Sequence, residues 1–120
     1  MDWKFAGSKP VYLQIMEQFR AAVLSGEYPP GGRVPSVREL AAEARVNPNT
    51  VQRALTELER EGLLTGGGTT GRWVTEDEET LESLRQQAVR RVVHAYALRM
   101  QELGLTARQA TQLLAQEMEE

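Results

Sequence analysis

The sequence predicts a mainly α-helical protein with one small β-hairpin: three helices, then the hairpin, then two further helices. Three observations predict this class. Apolar residues recur at helical spacing in five segments, and a capping residue precedes four of them. A glycine-rich stretch, GGGTTG, separates two short strand-like runs. The length of 120 residues suits one compact domain, or one small domain with an extension.

The first predicted helix covers residues 10–25, and one face of it is apolar. The stripe consists of Tyr12, Ile15, Met16, Phe19, Ala22 and Val23. Pro10 suits the first turn of a helix, and Gly26 is a natural stop. The segment EYPPGGRVP that follows is rich in helix breakers, which predicts a loop with a short edge strand near Val34.

Two helices with a tight turn between them are predicted next. Ser36 and Glu39 have the spacing of a capping box, which opens a short helix of about nine residues. Asn47 and Pro48 repeat the start signal for a third helix, which runs to about Glu61. Because only two or three residues separate these helices, the chain must turn sharply, which is helix-turn-helix geometry.

The segment after the third helix predicts the hairpin. Residues 63–65 and 72–75 are strand-like, and the glycine-rich stretch between them is turn material. Three helices followed by a hairpin make a winged helix-turn-helix module, which we assign to residues 1–75.

Residues 76–120 are expected to form a helical dimerisation region. Thr75 with Glu78 and Thr106 with Gln109 have capping-box spacing, which predicts a long helix to about Leu103 and a shorter last one. Two helices of this length cannot build an independent core of useful size, so we expect a homodimer to cover their apolar surface. The residues expected at this interface are Leu81, Leu84, Ala88, Val92, Tyr96, Leu103, Leu113 and Leu114.

The composition argues against several classes of protein. The absence of cysteine excludes disulfides, thiolate zinc sites and cysteine nucleophiles. No apolar run approaches the roughly 20 residues that span a bilayer, and the first ten residues lack the apolar region of a secretory signal. We therefore expect a cytoplasmic protein without a membrane partner. No nucleophile–base pair, phosphate-binding loop or dinucleotide fingerprint is present, so neither an enzyme nor a cofactor is expected. The carboxylates at 76–79 suit a helix start better than a metal site.

The net charge of -3 is unevenly distributed along the chain. Residues 1–75 hold 9 Lys and Arg against 8 Asp and Glu, whereas residues 76–120 hold 5 against 9. Because the acidity lies in the C-terminal part, the front part can still present a local basic face to a polyanion.

The third helix carries two rows of side chains at the same spacing. The apolar row is Val51, Ala54, Leu55 and Leu58, and the opposite row is Asn49, Gln52, Arg53 and Thr56. A helix fits the major groove of B-DNA, where Asn and Gln pair with adenine and Arg pairs with guanine. We therefore expect base contacts from Asn49, Gln52 and Arg53, and from Arg38 in the first turn of the second helix. The plain alternative is an ordinary solvated helix face.

These segments resemble a known family. RVPSVRELAAEARVNPNTVQRALTELEREGLL is similar to the DNA-binding domain of GntR-superfamily bacterial transcription factors. Within it, VPSVRELA, VNPNTVQRA and LEREGLL resemble the YtrA-type branch, which has a short C-terminal region of two helices. The resemblance implies a cytoplasmic homodimeric regulator, expected to be a repressor, that binds an inverted-repeat DNA operator. It places phosphate contacts on Ser36, Asn47 and Thr50, and Arg45 at the turn is a further candidate. It places wing contacts on Gly68, Thr69, Thr70, Gly71 and Arg72.

Two departures from the family pattern leave alternatives open. Many members carry an arginine where this chain has Pro48, and the family's wing usually has a basic residue before its G-x-G-T-F-V sequence. Here the wing reads GGGTTGRWV, with Arg72 as its one cation. A winged-helix module that docks on another protein is therefore a second hypothesis. The sequence also leaves open a small-molecule effector of unknown identity, which would bind at the dimer interface.

Overall fold

The computed structural model describes residues 1–66 and 71–119, which form two compact units, Met1–Ser83 and Leu84–Glu120. The division between the units falls inside the fourth helix. In chain order the elements are α1 (Val11–Leu24), β1 (Arg33–Val34), α2 (Val37–Ala44), α3 (Pro48–Arg60), β2 (Leu64–Gly66), β3 (Arg72–Val74), α4 (Glu78–Glu102) and α5 (Ala107–Glu119).

The core of the first unit forms around α3, which packs against α1, α2 and β2. Five of the six residues of the predicted α1 stripe are buried, and Tyr12 at its N-terminal end is half-buried. Phe19 is fully buried and stacks on the Tyr28 ring, with 4.8 Å between the ring centroids. The predicted apolar row of α3 is likewise buried, so α3 is held in one rotation about its axis.

The predicted helix-turn-helix geometry is confirmed. The Ser36 hydroxyl accepts a hydrogen bond from the Glu39 backbone N–H at 3.1 Å, and the Glu39 carboxylate accepts one from the Ser36 N–H at 3.4 Å. Arg45 ends α2 in the left-handed conformation, with φ of 58°. Asn47 caps α3 by accepting a bond from the Asn49 N–H at 2.8 Å, and Pro48 follows as the first helical residue.

The sheet has three antiparallel strands in the order β1-β3-β2. Trp73 in β3 pairs with Arg33 on one side and with Thr65 on the other. The predicted hairpin and the predicted edge strand near Val34 are both confirmed. Gly66 has φ of 95°, and a Cβ there would lie 2.6 Å from the carbonyl oxygen of Gly71, so only glycine fits at this end of β2.

The predicted capping box of Thr75 and Glu78 is wrong. Thr75 is still held by the sheet, since its N–H donates to the Leu63 carbonyl at 2.9 Å and the residue is buried. Its hydroxyl accepts from the Asp77 N–H at 3.1 Å, and α4 begins one residue later, at Glu78. Thr75 therefore ends the hairpin and does not cap α4.

The second unit contains most of α4 and all of α5. The predicted Thr106–Gln109 capping box is confirmed, with its two hydrogen bonds at 2.9 and 3.2 Å. The Tyr96 hydroxyl donates to the Ala110 carbonyl and so joins the two helices. None of the described helices is long and apolar enough to cross a membrane.

Candidate nucleic-acid interface

The N-terminal half of α3 presents a row of exposed polar side chains. Ala54, Leu55 and Leu58 have no exposed surface, which fixes the opposite side of the helix outward. On that side Asn49, Gln52, Arg53 and Thr56 are all exposed. The amide of Gln52 donates to the Thr56 hydroxyl at 3.3 Å, one turn along the same face. The structure thus brings three of the four predicted base-contact residues together on one open surface.

Arg53 in this row lies against an aromatic ring. Its guanidinium carbon is 3.8 Å from the centroid of the Tyr12 ring, in the first turn of α1. This is a cation–π contact between two helices whose residues are far apart in sequence. Within the described residues the Arg53 side chain has no ion pair, so its N–H groups are available to a ligand.

Two other arginines near α3 are paired with carboxylates. Arg60 donates to Glu57 at 3.0 Å on the surface of α3. Arg72 in β3 pairs through its Nε with Glu59 of α3, and only 13% of its side chain is exposed. This pair joins the sheet to α3, and it engages the one cation of the predicted wing.

Of the remaining predicted wing residues, the structure describes Gly71. Gly71 is half-buried with φ of 98° and directly precedes β3. Gly68, Thr69 and Thr70 lie outside the described residues.

Three of the four predicted phosphate contacts lie at the N-termini of α2 and α3, and the fourth, Arg45, lies in the turn between these helices. Ser36 and Asn47 are exposed, although the side-chain oxygen of each already accepts a capping bond. Thr50 is half-buried in the first turn of α3. Arg38 and Arg45 are exposed, and within residues 1–66 and 71–119 neither makes an ion pair. At the start of α3, Pro48 has no N–H, and the N–H groups of Asn49 and Thr50 already donate to Asn47 at 2.8 and 2.9 Å. A phosphate there would therefore meet the positive end of the helix dipole and would have to displace the Asn47 cap to reach the Asn49 N–H.

A groove of about 310 Å³ connects this surface to the sheet. Its lining consists of Arg33, Val34, Pro35, Ser36, Val37, Gln52, Gly71 and Arg72. Arg33 is exposed, and its Nη2 atom lies 3.4 Å from where a Cβ of Gly71 would stand. The sequence argument did not select Arg33, because only the pairing of β1 with β3 brings it beside the wing.

The predicted dimerisation residues have different environments within one chain. Leu84 is buried, whereas Leu81, Ala88 and Tyr96 are half-buried. The others are exposed: Val92 at 69%, Leu103 at 71%, Leu113 at 50% and Leu114 at 41%.

Comparison with known proteins assigns the family. Residues 11–71 match the family "Bacterial regulatory proteins, gntR family". The chain belongs to the GntR family. This GntR-family protein is 41% identical over 106 residues to "Uncharacterized HTH-type transcriptional regulator YhcF" of Bacillus subtilis, covering 88% of each chain. It is 44% identical over 73 residues to "HTH-type transcriptional repressor YtrA" of the same organism, covering 61% of this chain and 56% of YtrA.

Solved structures of the family share the fold. A GntR family transcriptional regulator from Listeria monocytogenes superposes with a TM-score of 0.85 at 32% identity, over 93% of this chain and 98% of that one. The DNA-binding domain of AraR, solved in complex with operator ORX1, superposes with a TM-score of 0.58 at 25% identity, over 62% of this chain and 96% of that one. The prediction of a winged helix-turn-helix protein of the GntR family with YtrA-type relatives is therefore confirmed.

Proposed function

We propose that this protein is a transcriptional repressor that binds an inverted-repeat DNA operator as a homodimer in the cytoplasm. The observation that carries the proposal is the exposed row of Asn49, Gln52 and Arg53 on α3. Side chains of these types in the N-terminal half of a recognition helix can reach base edges in the major groove. The relatives support the regulatory part of the proposal, since one is named a repressor and the AraR domain was solved on its operator.

The residues around α3 divide into three proposed roles. Asn49, Gln52 and Arg53, together with Arg38 at the start of α2, read base edges. Phosphate is held by Ser36, Asn47, Thr50 and Arg45. The wing, including Gly71 and Arg72, lies against the adjacent groove. Phosphate contacts supply affinity without sequence information, and base contacts supply the discrimination.

The dimer is proposed to form through residues 76–120, and residues 1–75 to bind DNA. Val92 and Leu103 leave about two-thirds or more of their side chains exposed in one chain. Burying such apolar surface against a second copy is favourable, and a two-fold dimer matches an inverted repeat.

The first experiment measures which side chains discriminate between bases. Duplexes selected by the wild-type protein from a random-sequence pool serve as the operator, and single base-pair changes are made in one half-site. We expect Gln52→Ala and Arg53→Ala each to lose about 1–3 kcal/mol of discrimination at one base pair. Arg60→Ala is the matched control, because it removes the same charge from α3 about two turns further on, where the side chain is paired with Glu57. We expect it to keep full discrimination.

Salt dependence separates this proposal from a protein-docking module. Binding to the selected duplex should weaken steeply as salt rises, because phosphate contacts release counterions. If no sequence is enriched from the pool, and binding to duplex DNA is weak at low salt as well, DNA recognition is refuted and the protein-interaction hypothesis takes its place. If sequences are enriched but both α3 variants discriminate like wild type, then α3 is not the reader.

A further inference from the structure

We infer that Tyr12 is a positioning residue for DNA recognition, because its ring holds the Arg53 guanidinium in the orientation that reads a base. The inference rests on the proposed function and adds to it a residue of α1 that would not itself need to contact a base. Tyr12 lies in the first turn of α1, and its ring faces the guanidinium of Arg53 across 3.8 Å.

The ring supplies a fixed platform for a flexible side chain. Tyr12 is half-buried, and it stands at the end of the apolar stripe through which α1 packs on the core. Arg53 is exposed, and a free arginine side chain would sample many rotamers before binding. Stacking on an aromatic face limits those rotamers while leaving the in-plane N–H groups free, and these are the groups that form two parallel bonds to guanine.

The acidic residues of α3 that could compete with the Tyr12 ring for Arg53 are bonded to other arginines. Glu57 is four residues further along α3, where a helical Arg would normally find an ion-pair partner. Here the Glu57 carboxylate bonds to Arg60 at 3.0 Å. Glu59, the next acid on α3, bonds to Arg72 of β3. Arg53 is therefore held by a neutral ring, which does not compete with DNA for its N–H groups as a carboxylate would.

The inference makes a specific statement about energetic coupling. If Tyr12 acts through Arg53, then removing the ring must reduce discrimination at the base pair that Arg53 reads and at no other. The loss must also disappear when Arg53 is already absent. A general defect in folding or packing would instead weaken binding to all duplexes alike.

The test is a double-mutant cycle of Tyr12→Leu and Arg53→Ala on the duplex selected by wild type. Leucine keeps apolar volume at the half-buried position, and thermal unfolding verifies that the variant is folded. Tyr12→Phe is the matched control, since it keeps the aromatic face and removes only the hydroxyl. Binding is measured on the selected duplex and on the duplex altered at the base pair whose discrimination Arg53→Ala abolishes.

We expect Tyr12→Leu to reduce discrimination at that base pair by roughly 3- to 30-fold, the range of a cation–π contact, and Tyr12→Phe to retain it. In the Arg53→Ala background, Tyr12→Leu should change discrimination no further. The inference is overturned if Tyr12→Leu discriminates like wild type, if it binds more tightly, or if Tyr12→Phe loses as much as Tyr12→Leu. The last result would point to a hydroxyl contact. If the pool yields no selected duplex, the proposed function itself fails, and that result is distinct from the other three.

Discussion

At the scale of single residues, the arginines around α3 differ in what a DNA phosphate or base would have to displace. Arg38 and Arg45 are exposed to water, and Arg53 lies over a ring. Arg60 and Arg72 are each bonded to a carboxylate of α3. A cation already paired with a carboxylate gains less from phosphate than a solvated one, because the first pair must be broken. Arginines that carry the same charge are therefore expected to contribute unequally to DNA binding.

The pairing of Arg72 with Glu59 makes the wing testable through its neighbour. Glu59→Gln should release the Arg72 guanidinium toward DNA, strengthen binding to the selected duplex, and increase the salt slope by about 0.9 for one added phosphate contact. Affinity is measured over a range of salt concentrations. Glu57→Gln is the charge-matched control, since it releases Arg60 on the surface of α3. Equal effects of the two variants would mean that only net charge has changed and that Arg72 does not reach phosphate.

At the scale of elements, the helix starts that the sequence predicted correctly were those that depend on local interactions. Capping bonds join residues two or three positions apart, so the starts of α2, α3 and α5 could be predicted from residues that are close together in the sequence. Thr75 had the same local pattern, but the hairpin already held it, and that depends on pairing with the distant β2 segment. The Tyr12–Arg53 contact and the Arg72–Glu59 pair also join separate elements, and no spacing rule predicts them.

Ser36 at the start of α2 has two roles that substitutions can separate: it caps the helix, and we propose that it holds a DNA phosphate. Ser36→Asp should retain the cap, changing the free energy of unfolding by less than about 0.5 kcal/mol, yet weaken DNA binding because a carboxylate would face phosphate. Ser36→Ala should lower the free energy of unfolding by about 1 kcal/mol. Urea unfolding and duplex affinity are measured together.

The cap of α5 provides the control for Ser36. Thr106 forms the same reciprocal capping bonds, so Thr106→Ala and Thr106→Asp should reproduce the stability pattern without the loss of DNA affinity. If Ser36→Asp binds the duplex like wild type, Ser36 is a structural cap and does not hold phosphate.

The packing of α1 on α3 includes a part-buried ion pair that the α1 stripe did not predict. Arg20 is 8% exposed and makes two hydrogen bonds, of 2.9 and 2.7 Å, to the Glu61 carboxylate at the end of α3. Its Nε is buried without a hydrogen-bond partner among the described residues. The pair therefore carries a desolvation cost that only the carboxylate offsets.

Removing one partner of this pair should cost more than removing both. Glu61→Ala leaves a buried guanidinium without its counter-ion, and because the carboxylate is partly exposed we expect it to lower the free energy of unfolding by about 2 kcal/mol. Arg20→Met keeps the apolar stem and removes the charge, so the double variant with Glu61→Ala should recover part of that loss. Urea unfolding of the three variants measures this. A double variant less stable than Glu61→Ala alone would contradict the explanation by desolvation.

At the scale of the whole molecule, the two compact units differ in how their apolar residues are placed. The first unit buries its stripes around α3, whereas several large apolar side chains of the second remain exposed, among them Val92, Leu103 and Met118. The number and approximate limits of α4 and α5 followed from the sequence. Which of their apolar residues remain exposed could not be predicted from the sequence. Leu84 and Val92 are both aliphatic, and their different exposure depends on what packs against them.

The proposed dimer can be tested with two neighbouring residues of α5. Leu113 is half exposed and belongs to the apolar stripe of the helix, whereas Gln112 is exposed on a different side, since successive residues are about 100° apart. Leu113→Glu should place a charge in the proposed interface and yield a monomer, which light scattering after size exclusion detects. Because the two half-sites would then be bound independently, affinity for the full inverted repeat should fall by about 10²- to 10⁴-fold, while affinity for a single half-site is retained. Gln112→Glu adds the same charge and should remain dimeric with wild-type affinity. If Leu113→Glu still dimerises and binds the full repeat normally, this face of α5 is not part of the assembly that binds DNA.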